Sequence, residues 1–151
     1  MDGLEAFIVA AKAACYVGAG QKGAPSRQGA FDLTHEAGDF AYRDSYFGGT
    51  DFVGQEVVWH RGTPVWAMNY YGRILRGDLI DGARGATVIR AALSAMYTQG
   101  RFLGGFAWVH DGYDYADDST GTFRDFTGVE TIHKDGALAY RLDYHGGMIV
   151  P

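Results

Sequence analysis

The feature that most constrains this chain is an internal repeat. Aligned without a gap, residues 51–72 and 125–146 share Asp51/Asp125, Phe52/Phe126, Gly54/Gly128, Glu56/Glu130, Gly62/Gly136, Tyr70/Tyr144 and Gly72/Gly146, seven identities in 22 positions. Each copy has a turn dipeptide at its middle, Arg61-Gly62 and Asp135-Gly136, between runs rich in aromatic and β-branched residues. That pattern predicts a β-hairpin in each copy, with one glutamate per hairpin.

The rest of the chain reads around these hairpins. Leu4, Phe7, Ile8, Ala11 and Cys15 recur at helical spacing and predict a helix over 3–15. Residues 18–30 are rich in Gly and polar residues and predict a loop, a mobile one. Turns at Ala37-Gly38, Gly48-Gly49 and Arg61-Gly62 divide a four-stranded meander of about 31–36, 39–47, 51–60 and 64–74. Val88, Ile89, Ala92, Leu93 and Met96 then mark one face of a helix over 84–98, stopped by Gly100. Another hairpin follows from Phe106 to Ala116 with its turn at Asp111-Gly112, and Asp117 to Gly121 reads as an acidic loop. Of the 151 residues 23 are Gly and only three Pro, which suits many tight turns rather than disorder. The expected fold is α+β: one domain over 1–151, a strongly twisted antiparallel sheet of six to eight strands built on the two duplicated hairpins, with two main helices packed on one face.

Counting back from two-residue turns sets the expected register. Glu56 then faces Ala67 and Gly54 faces Asn69; Glu130 faces Arg141 and Gly128 faces Asp143. One face carries Val53, Val57, Trp59, Trp66, Met68 and Tyr70, with Val129, Leu138, Tyr140, Leu142 and Tyr144 from the second copy, and reads as core. The other carries Glu56, Asn69 and Tyr71 with Glu130, Arg141, Asp143 and His145, and the register extends it to Arg43 and Ser45. Gly54 and Gly128 would open gaps on that polar face, because a strand glycine marks a bulge or a close approach by another group. Acids, an Arg, a His and a Tyr beside two gaps make a candidate ligand pocket.

Glu56, Glu130 and His145 are therefore the catalytic candidates, and Arg43, Asn69, Tyr71, Arg141 and Asp143 the ligand-binding ones. Two facing carboxylates can raise one another's pKa and do acid–base work. The bland alternative pairs Glu130 with Arg141 and Glu56 with Arg43 as cross-strand ion pairs. His145 with Asp143 and Glu130 could be a base with its orienting acids. No metal is expected, since no metal-ligand spacing exists, and no cofactor is expected, since there is no phosphate loop, dinucleotide fingerprint or nucleophile elbow. His35, His60, His110 and His133 sit near turns and read as solvated, and Trp59 and Trp66 as core. Cys15, the only cysteine, reads as a buried, inert thiol.

A net charge of −5 without a basic run argues against direct nucleic-acid binding. No apolar run is long enough to span a bilayer and the N-terminus lacks signal-peptide character, so we expect a cytoplasmic protein without membrane contact.

The stretch Asp44-Ser45-Tyr46-Phe47-Gly48-Gly49, the run from Phe52 to Trp59, the block from Pro64 to Gly72 and the closing segment Tyr140 to Gly147 resemble an uncharacterised bacterial domain family of unknown function. Its members occur alone or behind an XRE-type helix-turn-helix regulator. The resemblance implies that Glu56, Asn69, Tyr71 and His145 belong to the family's pattern. It brings no activity and no cofactor, and this chain opens on the domain with no DNA-binding segment ahead of it. The leading expectation is a small-molecule-binding domain with its pocket on the polar sheet face, compatible with a homodimer. The alternatives are a small cofactor-independent acid–base enzyme (isomerase, cyclase or hydrolase) acting on a cyclic or carbonyl-containing metabolite, and a protein-interaction module.

Overall fold

A computed structural model describes residues 2–16 and 21–150; part of the predicted 18–30 loop lies outside the described residues. The chain runs α1 (Leu4–Tyr16), β1 (Gln21–Lys22), β2 (Phe31–Ala37), β3 (Phe40–Gly48), β4 (Phe52–His60), β5 (Thr63–Ile74), α2 (Gly82–Tyr97), β6 (Phe106–His110), β7 (Tyr113–Thr122), β8 (Asp125–Lys134) and β9 (Ala137–Met148). The strands form one antiparallel sheet of nine, in the order β1-β2-β3-β4-β5-β9-β8-β7-β6, of which β1 is a two-residue edge. The α+β architecture is the expected one, and both helices pack on the same sheet face, their apolar stripes (Leu4, Ile8, Ala11 and Cys15; Val88, Ala92 and Met96) joining one core.

The local signals explain most elements. Arg61 and Gly62, Asp111 and Gly112, and Asp135 and Gly136 all take positive φ, the backbone a tight two-residue hairpin turn requires. The Asp81 side chain accepts from the Arg84 backbone N–H at 2.7 Å and caps the start of α2. The acidic run Asp117 to Gly121 is strand rather than loop: β7 pairs with β8 along its whole length, and every second residue turns inward.

The duplication is larger than the two hairpins. The β8–β9 register repeats that of β4–β5 position for position. The β3–β4 pairing recurs as β7–β8, which matches Tyr42 with Tyr115, Asp44 with Asp117 and Gly48 with Gly121. Each half is thus a helix followed by a four-stranded meander. The halves meet where β5 pairs with β9; Tyr70 faces Tyr144, Trp66 faces Met148 and Ile74 faces Tyr140, as a twofold between Tyr70 and Tyr144 demands.

The expected register was wrong by one residue in both hairpins. Val58 pairs with Trp66 but Trp59 with Pro64, which leaves Val65 without a partner; Ile132 pairs with Tyr140 but His133 with Leu138, which leaves out Ala139. Each extra residue is a β-bulge that brings two consecutive side chains inward, Val65 with Trp66 and Ala139 with Tyr140. Beyond the bulge Glu56 faces Met68 and Glu130 faces Leu142. The faces of β5 and β9 beyond the bulges are as expected, those of β4 and β8 are inverted, and Leu138, expected in the core, is only partly buried because the bulge brings Ala139 in instead. Phe52, Gly54, Glu56 and Val58 turn toward the helices, whereas Val53, Val57 and Trp59 turn away; Trp59 is half-buried, under the Arg43 guanidinium.

Gly54 and Gly128 do mark a close approach, on the covered face. A Cβ at Gly54 would lie 2.5 Å from Cζ of Tyr70, and one at Gly128 would meet the Tyr144 ring. The glycines let tyrosines of β5 and β9 lie flat across β4 and β8 and reach acids on the strands beyond. Gly128→Ala is therefore expected to cost about 1–3 kcal/mol by overpacking, read by urea denaturation; an unchanged midpoint would contradict this packing.

Candidate functional site

Under the two helices the inner sheet face carries four buried carboxylates, Asp44, Glu56, Asp117 and Glu130. They are cross-strand neighbours in pairs, Asp44 beside Glu56 and Asp117 beside Glu130, as the duplication requires. Glu56 is held by α1: Lys12 Nζ donates to Oε1 at 2.8 Å and lies 2.7 Å from Oε2. The Oε2 contact lacks hydrogen-bond geometry and acts as charge attraction only. Tyr16, also on α1, contacts Asp44 Oδ2 at 2.9 Å and Glu56 Oε1 at 3.1 Å, and Tyr70 donates to Asp44 Oδ1 at 2.6 Å. In the second half hydroxyls alone do this work. Tyr115 and Tyr140 donate to Glu130 at 2.6 and 3.0 Å, and Tyr144 donates to Asp117 at 2.8 Å.

Burial sets the protonation of this cluster. It pushes Asp44 up to about 7, helped by the neighbouring Glu56 charge, and pushes Glu130 up to about 7. Asp117 rises to about 6 for the same reason, although the Tyr144 hydroxyl opposes the shift. A proton on Asp44 also resolves its hydrogen bonds. Tyr16 has one hydroxyl proton and two carboxylate neighbours, so a protonated Asp44 donates to Tyr16 while Tyr16 donates to Glu56.

Two neighbouring cavities lie against this cluster. The larger, about 410 Å³, has Asp44, Cys15 and aromatic side chains including Tyr46 and Phe52 in its walls, with the Gly48-Gly49-Thr50 loop and the exposed Arg90 at its rim. The smaller, about 90 Å³, reaches Lys12, Glu56, Asp117 and Glu130. Tyr16, Phe52, Tyr70, Ile89 and Leu93 belong to both walls. Cys15 is buried, and burial lifts its thiol to about 12, so it is a poor nucleophile as expected.

The expected polar face is thus split across the sheet. Glu56 and Glu130 lie on the covered face, whereas Asn69, Tyr71, Asp143 and His145 lie together on the open face around a depression of about 470 Å³. Its side chains pair with one another. Gln55 donates to Asn69 at 2.9 Å, Asn69 is 3.4 Å from His145, and Arg141 binds Asp143 with its shortest contact at 2.6 Å, which holds that carboxyl below its usual range. Arg43 stands apart on the same face, 3.5 Å from Asp32. The ion pairs Glu130–Arg141 and Glu56–Arg43 do not form, and His145 shares no site with either glutamate, because the bulges put the glutamates on the opposite surface. Among the described residues no three His, Cys, Asp or Glu side chains converge as a metal site would require.

Sequence reasoning missed Asp44, Asp117, Lys12 and the tyrosine donors. Lys12 left a signal: it lies in the apolar stripe of α1, four residues after Ile8 and one turn before Tyr16. Asp117 was hidden by its acidic neighbour Asp118, which does face solvent.

Fold and site together define an α+β domain with a helix-roofed cavity floored by acids and tyrosines. A family model described as a domain of unknown function (DUF5680) matches residues 44–149, and the chain belongs to that family. No match was found among curated proteins or among solved structures.

Two outcomes follow from this electrostatic arrangement. Lys12→Met leaves a charged carboxylate buried without its cation and should cost about 3–5 kcal/mol. Adding Glu56→Gln should recover most of that loss in chemical denaturation, because Tyr16 can still donate to the amide oxygen; no recovery would mean that Lys12 acts through packing. The second outcome concerns pH. Asp44, Asp117 and Glu130 have raised folded values, so between their ordinary values of 3.8 to 4.5 and the raised ones of about 6 to 7 the folded state holds protons the unfolded chain has released. The stability they contribute is full below that window and is lost as pH rises through it. Asp117→Asn should flatten the slope by up to about 1.4 kcal/mol per pH unit, measured between about pH 4 and 6; a slope equal to the parent's would show that Asp117 does not titrate there.

Proposed function

We propose that this protein is a small-molecule-binding domain and that its ligand occupies the cavity between the helices and the sheet, not the open face. The observation that carries this reading is an aromatic-walled cavity of about 410 Å³ whose floor is a buried, incompletely neutralised acid. An apolar chamber with a few convergent polar groups and a perturbed acid is the usual form of a ligand site. The open-face depression supports binding less well, since its polar groups already satisfy one another and Val53, Tyr71 and His145 are exposed. The enzyme reading with Glu56 or Glu130 and His145 as acid and base has less support, because both glutamates lie on the opposite side of the sheet from His145.

The finer parts belong to the same proposal. In bacterial relatives that carry a helix-turn-helix segment the domain would act as the sensor; alone, it would sequester its ligand or respond to it in the cytoplasm. The lone free thiol and net charge of −5 suit that setting, and among the described residues no helix is long and apolar enough to cross a membrane. A homodimer is compatible with this reading, and one native mass spectrum reads both stoichiometry and cargo.

Native mass spectrometry of freshly purified protein, followed by a thermal-shift screen of a metabolite library, is expected to give an adduct or a stabilising hit. Leu93→Phe, which fills the wall shared by both cavities, is expected to abolish it while leaving the melting temperature equal or higher. An adduct retained in Leu93→Phe, or neither adduct nor hit in the parent protein, would sink the reading.

A further inference from the structure

We infer that the ligand is an organic amine bound as its ammonium, with the nitrogen on Asp44 and an aryl or alkyl body in the cavity beside Phe52, Ile89 and Leu93. This rests on the cavity being a ligand site, and three further observations carry it.

The first is charge. Of the four buried acids on the inner face only Glu56 has a cation in contact among the described residues, Lys12. Asp44 contacts two tyrosine hydroxyls and, among the described residues, no ammonium or guanidinium within salt-bridge distance. An anion entering here adds to the buried negative charge around Glu56, and a neutral ligand leaves the cost of burying the Asp44 carboxylate as it stands. A single positive charge relieves it, and the net charge of −5 favours its approach. Arg90 is exposed at the rim, where solvent screens it, and disfavours a second positive charge deeper in the ligand's tail.

The second is the wall. Tyr16, Tyr46, Tyr70 and Phe52 surround the Asp44 end of the chamber. Aromatic faces attract a cation that has shed its water, and an apolar tail buries its own surface. A bare metal ion would leave most of about 410 Å³ empty and finds no three-ligand grouping among the described residues.

The third is the hydrogen-bond chain. Tyr16 bridges Asp44 and Glu56, an arrangement complete only with a proton shared along it. An ammonium supplies N–H donors to Asp44 directly. As it binds, the Asp44 O–H bond breaks, the proton leaves to solvent and the carboxylate pairs with the ammonium, so charge balances. The groups facing Asp44 are Lys12, Cys15 and Tyr16 from α1, Glu56 from β4 and Tyr70 from β5. On its own strand Tyr42 and Tyr46 are neighbours, and Arg90 is the contribution of α2. Burial holds the cysteine and these tyrosines neutral, which leaves Asp44 as the group that releases the proton.

The test compares 4-phenylbutylamine, 4-phenylbutan-1-ol and 4-phenylbutyrate by calorimetry on the intact parent protein at pH 7. The amine is expected to bind roughly tenfold to hundredfold more tightly than the alcohol, as a charged hydrogen bond in a buried site implies, and the butyrate not at all. Titration in two buffers of different ionisation enthalpy should report a fraction of a proton released with the amine and none with the alcohol. Asp44→Asn, which keeps an acceptor for Tyr70, should remove the preference. Equal binding of amine and alcohol, or binding of butyrate, overturns the amine inference and leaves the cavity reading intact. Binding of none of the three at millimolar concentration also overturns it, and the cavity reading is then decided separately by the native mass spectrum and Leu93→Phe.

Discussion

A carboxylate taken out of water must find donors or give up its charge. Four of them lie together on the inner face of this sheet, and that constraint organises what surrounds them. Tyr70 and Tyr144 cross to Asp44 and Asp117, and they can do so only because Gly54 and Gly128 have no side chain beneath their rings. Tyr115 and Tyr140 close over Glu130 from the strands on either side. Lys12 enters from α1 and fixes that helix over Glu56, its ammonium also lying 5.2 Å from the Phe102 ring centroid. Tyrosine serves this role well: it brings one strong donor on a large apolar body, so it satisfies the acid and fills the core with the same side chain.

The two halves keep this plan and differ in what they do with the space. Over the second half Trp66, reaching across from β5, stacks on Phe126 at 5.9 Å, Phe102 meets both rings edge-on, and the indole N–H donates to the Phe123 carbonyl at 2.8 Å. The twofold puts Tyr140 where Trp66 would be in the first half, and its hydroxyl is committed to Glu130. Phe52, the counterpart of Phe126, keeps looser neighbours in Tyr70 and Tyr140 at 6.0 and 6.5 Å. One half is largely filled by aromatic packing and the other holds the larger cavity.

This division explains what the sequence disclosed. Turns such as Asp135-Gly136 have residue requirements strict enough to read directly, so the strands of the first meander were legible to within a residue or two, whereas β7 continues through the acidic run past its expected end at Ala116. The inward faces of β5 and β9 were legible as well, because Trp66, Met68, Tyr70, Tyr140, Leu142 and Tyr144 alternate cleanly. The inward faces of β4 and β8 were not, because counting from a turn assumes an unbroken ladder. Adjacent apolar residues at Val65-Trp66 and Ala139-Tyr140 were the trace of the break, and a bulge that inverts a strand inverts the meaning of its glutamate. The full duplication was hidden for a different reason. Outward residues of β3 and β7 are free to drift, so only Tyr42, Asp44 and Gly48 survive in Tyr115, Asp117 and Gly121, and one residue of difference between the β3–β4 and β7–β8 connections breaks an ungapped alignment.

A polar network inside a core can exist to specify one fold rather than to bind anything, and the second half fits that description: each acid meets a hydroxyl and the aromatic packing is tight. The first half does not. The buried Tyr42 hydroxyl finds no partner among the described residues, Glu56 Oε2 has charge contact without a hydrogen bond, and the acid beside them faces open volume. Unfilled space and unsatisfied polar groups both lower stability. The duplication supplies the internal control, since the same scaffold leaves only about 90 Å³ beside Asp117 and Glu130, against about 410 Å³ beside Asp44. Packing alone gives no reason for one copy to forgo what the other achieves. A ligand that completes the first half's charge and volume does.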